Sequence, residues 1–255
     1  MSRYNRTTSS GIGYPRWTRG VKMLILASVI TFGVQIIAGA AFTSRFGLTP
    51  ADVLYKGHIW QLGTYIFLHD PRSIMHILFN MLGLWMFGSD LEQIWGTRQF
   101  TKFFFICGIG AGILLVLLSL LAGGDNRTTI GASGSIYGVL LAFGLLFPDR
   151  IIYWIIFPIP ARYFVMIMGG IAFFSSISAS GSGVAHVAHL GGMLCGFVYL
   201  KSRGALRGRG GSTFRGLRSL YDTWRRNRLR RKFDVYYNQR HNDDDDDEKW
   251  RRWKN

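Results

Sequence analysis

Acidic residues are scarce in this sequence. Its 255 residues carry 14 Asp and Glu against 30 Lys and Arg, and no acid precedes Asp52. Charge of either sign is low, at 17% of residues, where a soluble domain has about a quarter. There are two cysteines, Cys107 and Cys195, both inside apolar runs. That excludes a disulfide framework and reads them as small packing residues. Alternating ten-residue segments, the mark of a membrane β-barrel, are missing. So is any His-Glu-x-x-His pattern. A three-histidine metal site from His76, His186 and His189 therefore has no support, and neither a metal nor a cofactor is expected.

What the sequence does have is long apolar runs. Hydrophobic residues make up 49% of it, and most of the charge lies before Met23 and after Leu200. A bilayer core needs roughly 20 apolar residues per helix. The expected fold is therefore an all-α, polytopic bundle of six transmembrane helices over residues 23–200. A basic segment (1–22) and a basic tail (201–255) flank it. The spans are expected at Met23–Phe42, Ile74–Gly88, Phe103–Ala122, Ser133–Phe147, Tyr163–Ala179 and Val184–Leu200. The first run is long enough to span and has no small-residue cleavage pattern close behind it, so a cleavable signal peptide is not expected.

Between the spans, Thr43 to Arg72 is too polar to cross and too aromatic for a plain linker. It is expected at the membrane interface, with His58 and His69 as loop residues. Ser89 to Lys102 reads as a polar connection, with Asp90 and Glu92 pairing with Arg98 or capping a helix. Ile151 to Phe157 is too short to cross and is stopped by Pro158 and Pro160, which suggests an interfacial loop. Asn126-Arg127-Thr128 matches the glycosylation pattern, a weak signal by itself. Ser180 to Gly183 reads as a flexible loop. In the tail, Phe214, Leu217, Tyr221 and Trp224 recur among arginines, as in a basic amphipathic helix that could meet anionic lipids. Asp243 to Glu248 is an acidic run expected to be disordered.

The net charge of +16 flanks membrane spans and does not call for nucleic acid. Lys and Arg mark the cytoplasmic side, so both termini are expected there, in keeping with an even number of spans. With no organelle-targeting segment seen, the expected location is the plasma membrane of a bacterium.

This orientation sorts the polar residues by depth. Spans two, four and six then run from outside to inside. His76 and Asn80, Ser133, and His189 all fall in the outer half of the membrane, where polar residues are costly and usually functional. His76 and Asn80 are i, i+4 and share a face, as do Ser133 and Tyr137. Gly134 and Gly138 on span four, and Gly192 and Gly196 on span six, form small-xxx-small pairs that let helices approach closely. Contact between those spans would bring His189 to Ser133. A serine needs such a base to act as a nucleophile. His76, Asn80 and the N–H groups opening span four could hold an oxyanion. No acid lies at this depth, so a Ser–His dyad is expected in place of a triad. His186 is read as lining or packing. The plain alternative for Ser133 is a helix N-cap.

These residues resemble the rhomboid family of intramembrane serine proteases over roughly Trp60 to Leu200. Gly131-Ala132-Ser133-Gly134 is similar to its nucleophile motif. Ala188-His189-Leu190-Gly191-Gly192 with Gly196 is similar to its catalytic histidine segment, and His76-Ile77-Leu78-Phe79-Asn80 to its oxyanion motif. Tyr137 matches the aromatic that packs on the histidine. Trp60-Gln61 departs from the family's frequent Trp-Arg, and the tail has no counterpart in the family core. The resemblance implies hydrolysis of peptide bonds in or near the transmembrane helices of single-span substrates within the lipid bilayer. It also implies a gating role for span five and the loop before span six. Two other readings stand beside it. One is an inactive rhomboid-like protein that binds transmembrane helices. The other is a transporter, which would need a polar path through the inner halves of the spans, and none is present.

Overall fold

A computed structural model describes residues 15–121, 127–154, 157–177 and 183–203. Its long helices are α1 (Arg19–Phe46), α4 (Ile74–Gly83), α6 (Thr97–Leu121), α7 (Ser133–Leu146), α8 (Ala161–Ile177) and α9 (Gly183–Ser202). Shorter pieces lie between them: α2 (Pro50–Lys56), α3 (Gln61–Thr64), a 3₁₀ turn (Tyr65–Phe67), α5 (Ser89–Trp95) and a hairpin of β1 (Ile151–Trp154) and β2 (Phe157–Pro160). Among the described residues, three helices are long and apolar enough to cross a membrane: Arg19–Phe46, Ile74–Trp95 and Thr97–Leu121. The chain is thus mostly helical, with a membrane protein's pattern of apolar helices.

Helix α6 runs through the middle of the bundle. Phe100, Phe103, Phe104, Cys107 and Ala111 on it are all buried. Helices α7 and α9 pack on it and on each other, and small residues allow the approach. A Cβ on Gly192 would collide with the carbonyl of Gly134, and one on Gly138 would meet Cys107 and, at 2.9 Å, the carbonyl oxygen of Gly192. Outward-facing positions are as apolar as the core: Ile37 is 88% and Leu121 82% exposed. Water would penalise such a surface heavily, whereas lipid would not.

Several expectations need correction. The second helix does not stop at Gly88. It passes through a π-helical turn, Leu84–Gly88, into α5 and ends at Gly96, whose φ of 79° halts it. The supposed polar connection is therefore largely helix, and its carboxylates are buried or paired. Glu92 accepts hydrogen bonds from Thr18 Oγ1 (2.5 Å), Gly20 N (2.7 Å), Val21 N (2.9 Å) and Thr97 Oγ1 (2.6 Å). It thereby satisfies the N-terminus of α1, where negative charge is favoured. Asp90 pairs at 2.6 Å with Arg150 and not with Arg98. Of the expected loop, Ile151–Trp154 pairs antiparallel with Phe157–Pro160 in a hairpin, with Ile151 opposite Pro160 and Ile152 opposite Ile159. Its prolines lie in β2 at the edge of a two-stranded sheet, where a missing donor costs little.

The mixed segment after α1 is helical turns more than loop. His69 in it is fully buried, not an exposed loop residue. Helix α1 extends past the expected Phe42, but Gly39 breaks its regularity at φ 71°, ψ −161°. The Ser180–Ser182 loop, most of the N-terminal segment, and the tail from Gly204 with its amphipathic and acidic stretches fall outside the described residues.

Candidate active site

Ser133 is the first residue of α7, and Ala132 occupies the cap position. The N-cap reading of Ser133 therefore does not apply. The Ala132 carbonyl accepts from Ile136 N, so the N–H groups of the first turn have no acceptor within the helix. The approach to this turn is fixed on two sides. Leu48 and Thr129 exchange backbone hydrogen bonds of 2.9 and 2.8 Å, and Gly131 N donates to the Tyr65 carbonyl at 3.0 Å. The Tyr65 hydroxyl, fully buried, donates in turn to the Gly108 carbonyl of α6 at 2.7 Å. Gly131 has φ 126° and lies against His76, whose Nε2 would be 3.1 Å from an added Cβ. A side chain there would meet both backbone strain and the imidazole.

The close approach of α7 and α9 brings Ser133 and His189 together. His189 Nε2 lies 2.8 Å from Ser133 Oγ. The Tyr137 ring stacks on the imidazole at 4.2 Å between centroids and 4° between planes. With the serine hydroxyl as donor to Nε2, the imidazole proton sits on Nδ1. That Nδ1 has no partner among the described residues. Among the described residues no carboxylate bonds to this imidazole, and the flat contact with Tyr137 holds the ring in place.

His76 and Asn80 lie on one face of α4, and both line a cavity of about 350 Å³ with Ser133, Gly131 and His189. Asp70 N donates to His76 Nδ1 at 3.3 Å. A backbone N–H can only donate, so Nδ1 accepts and Nε2 carries the proton on the side facing Gly131. Asn80 Nδ2 donates to the His76 carbonyl at 2.6 Å, which fixes its amide. Ser133, His189, His76, Asn80, Gly131 and Gly134 thus surround one cavity, while Tyr137 and Gly192 support it from behind. His186 meets the His189 ring edge-on at 5.5 Å. Among the described residues, no cluster of three His, Cys, Asp or Glu could hold a metal.

The sequence reading passed over three residues that position the site. Gln35 on α1 bonds to both backbone groups of His69. The His69 ring packs edge-on against His76 at 5.3 Å. Tyr65 anchors Gly131. Gln35 had a readable signal as the one amide in an apolar run, which membrane burial makes costly unless it is used. Gln61, at the family's usual arginine position, is fully buried. It accepts from Thr49 N and donates to the Ser44 and Arg45 carbonyls, so a structural hydrogen-bonding role is still filled there.

The family model described as Rhomboid domain matches residues 56–204. The chain is 32% identical over 188 residues to Rhomboid protein 1, mitochondrial, of Saccharomyces cerevisiae, covering 70% of this chain and 51% of that protein. It is 32% identical over 156 residues to RHOMBOID-like protein 1 of Arabidopsis thaliana (59% and 36%). It is 27% identical over 178 residues to Rhomboid protease GluP of Bacillus subtilis (68% and 32%). The chain thus spans about half or less of the length of these curated relatives. They are mitochondrial, plant and bacterial, so the similarity does not single out a bacterial plasma membrane. The Gly-Ala-Ser-Gly turn, the His-x-x-x-Asn face and the glycine-lined contact that carries His189 lie inside the matched span, and this chain belongs to the rhomboid family.

Proposed function

We propose that this protein is an intramembrane serine endopeptidase that hydrolyses peptide bonds in or near the transmembrane helices of single-span membrane proteins. The observation that carries the reading is the 2.8 Å contact between His189 Nε2 and Ser133 Oγ at the edge of a cavity. Ser133 Oγ attacks the scissile carbonyl carbon while His189 Nε2 takes its proton. The resulting oxyanion accepts hydrogen bonds from His76 Nε2–H, the Asn80 amide and the first N–H groups of α7, and the N-terminal end of that helix adds positive potential. Collapse breaks the C–N bond, and the protonated His189 delivers its proton to the leaving amine. A water then attacks the acyl-enzyme with His189 again as base, releasing the acid and restoring Ser133.

In this reading the bundle spans the membrane six times, through α1, α4 with α5, α6, α7, α8 and α9. Both basic ends lie on the cytoplasmic side, where the tail meets anionic lipid headgroups. Helix α7, with 14 residues, is about 21 Å long. That is shorter than a hydrocarbon core of about 30 Å. Ser133 would therefore lie below the outer surface, reached by water through the cavity. Helix-breaking small residues in a substrate would expose a carbonyl at that depth.

The test compares purified protein with Ser133→Ala and His189→Ala on a single-span substrate in liposomes. Cleavage by the parent alone is expected, and equal cleavage by all three would sink the dyad. Loss of activity on adding a chelator would turn the reading towards a metal. A parent that binds transmembrane helices without cutting them would make the protein a non-enzymatic member. Alkaline-phosphatase fusions after Gly124 and after Leu200 should report outside and inside respectively.

A further inference from the structure

Gln35 is an unusual residue for its place. Its neighbours on α1, Ile36 and Ile37, are exposed on the apolar exterior, while Gln35 is 1% exposed and turned inward. An amide buried there must find partners or carry a large desolvation penalty. It finds three. Oε1 accepts from His69 N at 2.9 Å, and Nε2 donates to the His69 carbonyl at 3.0 Å and to Thr43 Oγ1 at 3.0 Å. In an unbroken helix, residues 35 and 43 would stand about 12 Å apart along the axis. The break at Gly39 brings Thr43 back, so both amide hydrogens are used. The side chain grips one peptide-like pair of groups, the N–H and C=O of His69, in a fixed plane.

What this grip holds in place matters for chemistry. The residue after His69 is Asp70, and its N–H is the donor to His76 Nδ1. The His69 ring also closes over His76 from the side. The imidazole of His76 can donate into the cavity from Nε2 only while Nδ1 is kept as the acceptor. If the 69–70 backbone turned away, the proton could move to Nδ1 and Nε2 would face the cavity as a bare acceptor, repelling an oxyanion.

We infer that Gln35 is a positioning residue for the oxyanion site: by clamping the backbone of His69 it holds the Asp70 N–H on His76 Nδ1 and so keeps the His76 proton on Nε2. This rests on the protease reading for its effect on rate, but not for its effect on the histidine. It also makes α1, a helix with no residue in the cavity lining, part of what sets the active geometry. Through Gln35, a tilt of α1 in the membrane would change the oxyanion donor without touching Ser133 or His189.

The experiment uses the full chain labelled with ¹⁵N-histidine in bilayers, with His76→Ala to assign the His76 signals. Cleavage of a single-span substrate is measured in parallel. The parent should show His76 protonated at Nε2 and bare at Nδ1. Gln35→Leu should show mixed tautomers at His76. Its kcat should fall about tenfold, less than the hundredfold or more that follows loss of an oxyanion donor itself, with KM unchanged. Gln35→Asn keeps the amide but shortens its reach, and should behave the same way. A folded variant with an unchanged His76 tautomer or an unchanged kcat overturns the inference. Failure of both variants to fold also overturns it, by making Gln35 a folding residue. A parent that cleaves nothing defeats the protease reading alone, since the tautomer comparison still decides whether Gln35 controls His76.

Discussion

The two ends of the bundle use polar residues in opposite ways. At the end where α4 passes into α5 and α6 begins, Glu92 is buried with four donors on one carboxylate. Nearby, Asp90 is paired with Arg150, whose guanidinium also lies over the Phe143 ring at 5.7 Å. At the end where α7 begins, polar groups are held in position but left with capacity to spare. Ser133 has one partner, His189 Nδ1 has none among the described residues, and the His76 Nε2–H faces a cavity. In a low-dielectric bundle, a polar group with all its bonds made locks helices together. One with a bond still to make is costly, and on the proposed reading chemistry is the reason to keep it at the cavity. Trp85 Nε1 and Ser89 Oγ at the structural end are also buried without a hydrogen-bond partner among the described residues, so what sets apart the end proposed to be reactive is that its open groups line a cavity.

That contrast can be broken by substitution at either end. The largest effect is expected for Ser133→Ala, which should lower cleavage by about 10⁴-fold or more and leave the thermal midpoint in detergent within a few degrees. Retained cleavage would remove the reactive end altogether. His76→Ala should lower kcat by about 10²–10³ with little change in KM. A rise in KM alone would assign His76 to substrate binding. At the other end the pattern reverses. Glu92→Ala orphans the first N–H groups of α1 and should cost about 2–4 kcal/mol of stability, while activity per folded molecule is retained. A variant as stable as the parent would show that the four-donor site is not holding α1.

The smallest effect sharpens the comparison at its boundary. His69 belongs to the reactive end by position but behaves as a structural group. Burial first, and then the neighbouring His76, push its pKa from 6.5 down to about 4. Between these values the unfolded chain binds a proton that the folded chain refuses, so stability rises with pH across this window and is complete above about pH 6.5. His69→Phe should flatten this part of the pH dependence of thermal unfolding. An unchanged slope would mean that other groups set it.

The residues that meet at the cavity were in large part legible in the chain. Ser133, His189, His76 and Asn80 stood out because each is a polar residue in a run where apolar residues are the rule. Their i, i+4 and glycine spacings also named the faces that would meet. Other features were harder to see. The helix running through Gly88 to Trp95 was hidden because Asp90 and Glu92 look like solvated loop residues until their partners are known. The hairpin was hidden because a seven-residue apolar stretch ended by prolines fits a loop as well as a strand.

The membrane character of the chain, the placement of its apolar runs and the residue types that meet at the cavity were already legible in the chain. Those follow from composition and periodicity, which are local. What each polar group bonds to emerged from the packing of the folded chain. It showed that Glu92 caps α1 across more than seventy residues, and that Gln35 holds His69. It also showed that an approach between α7 and α9, close enough for a Cβ on Gly192 to collide with Gly134, brings an imidazole to a hydroxyl. Those pairings depend on helices that are distant in sequence packing together at close range. No local pattern encodes that distance, because the free energy that sets it comes from both partners at once.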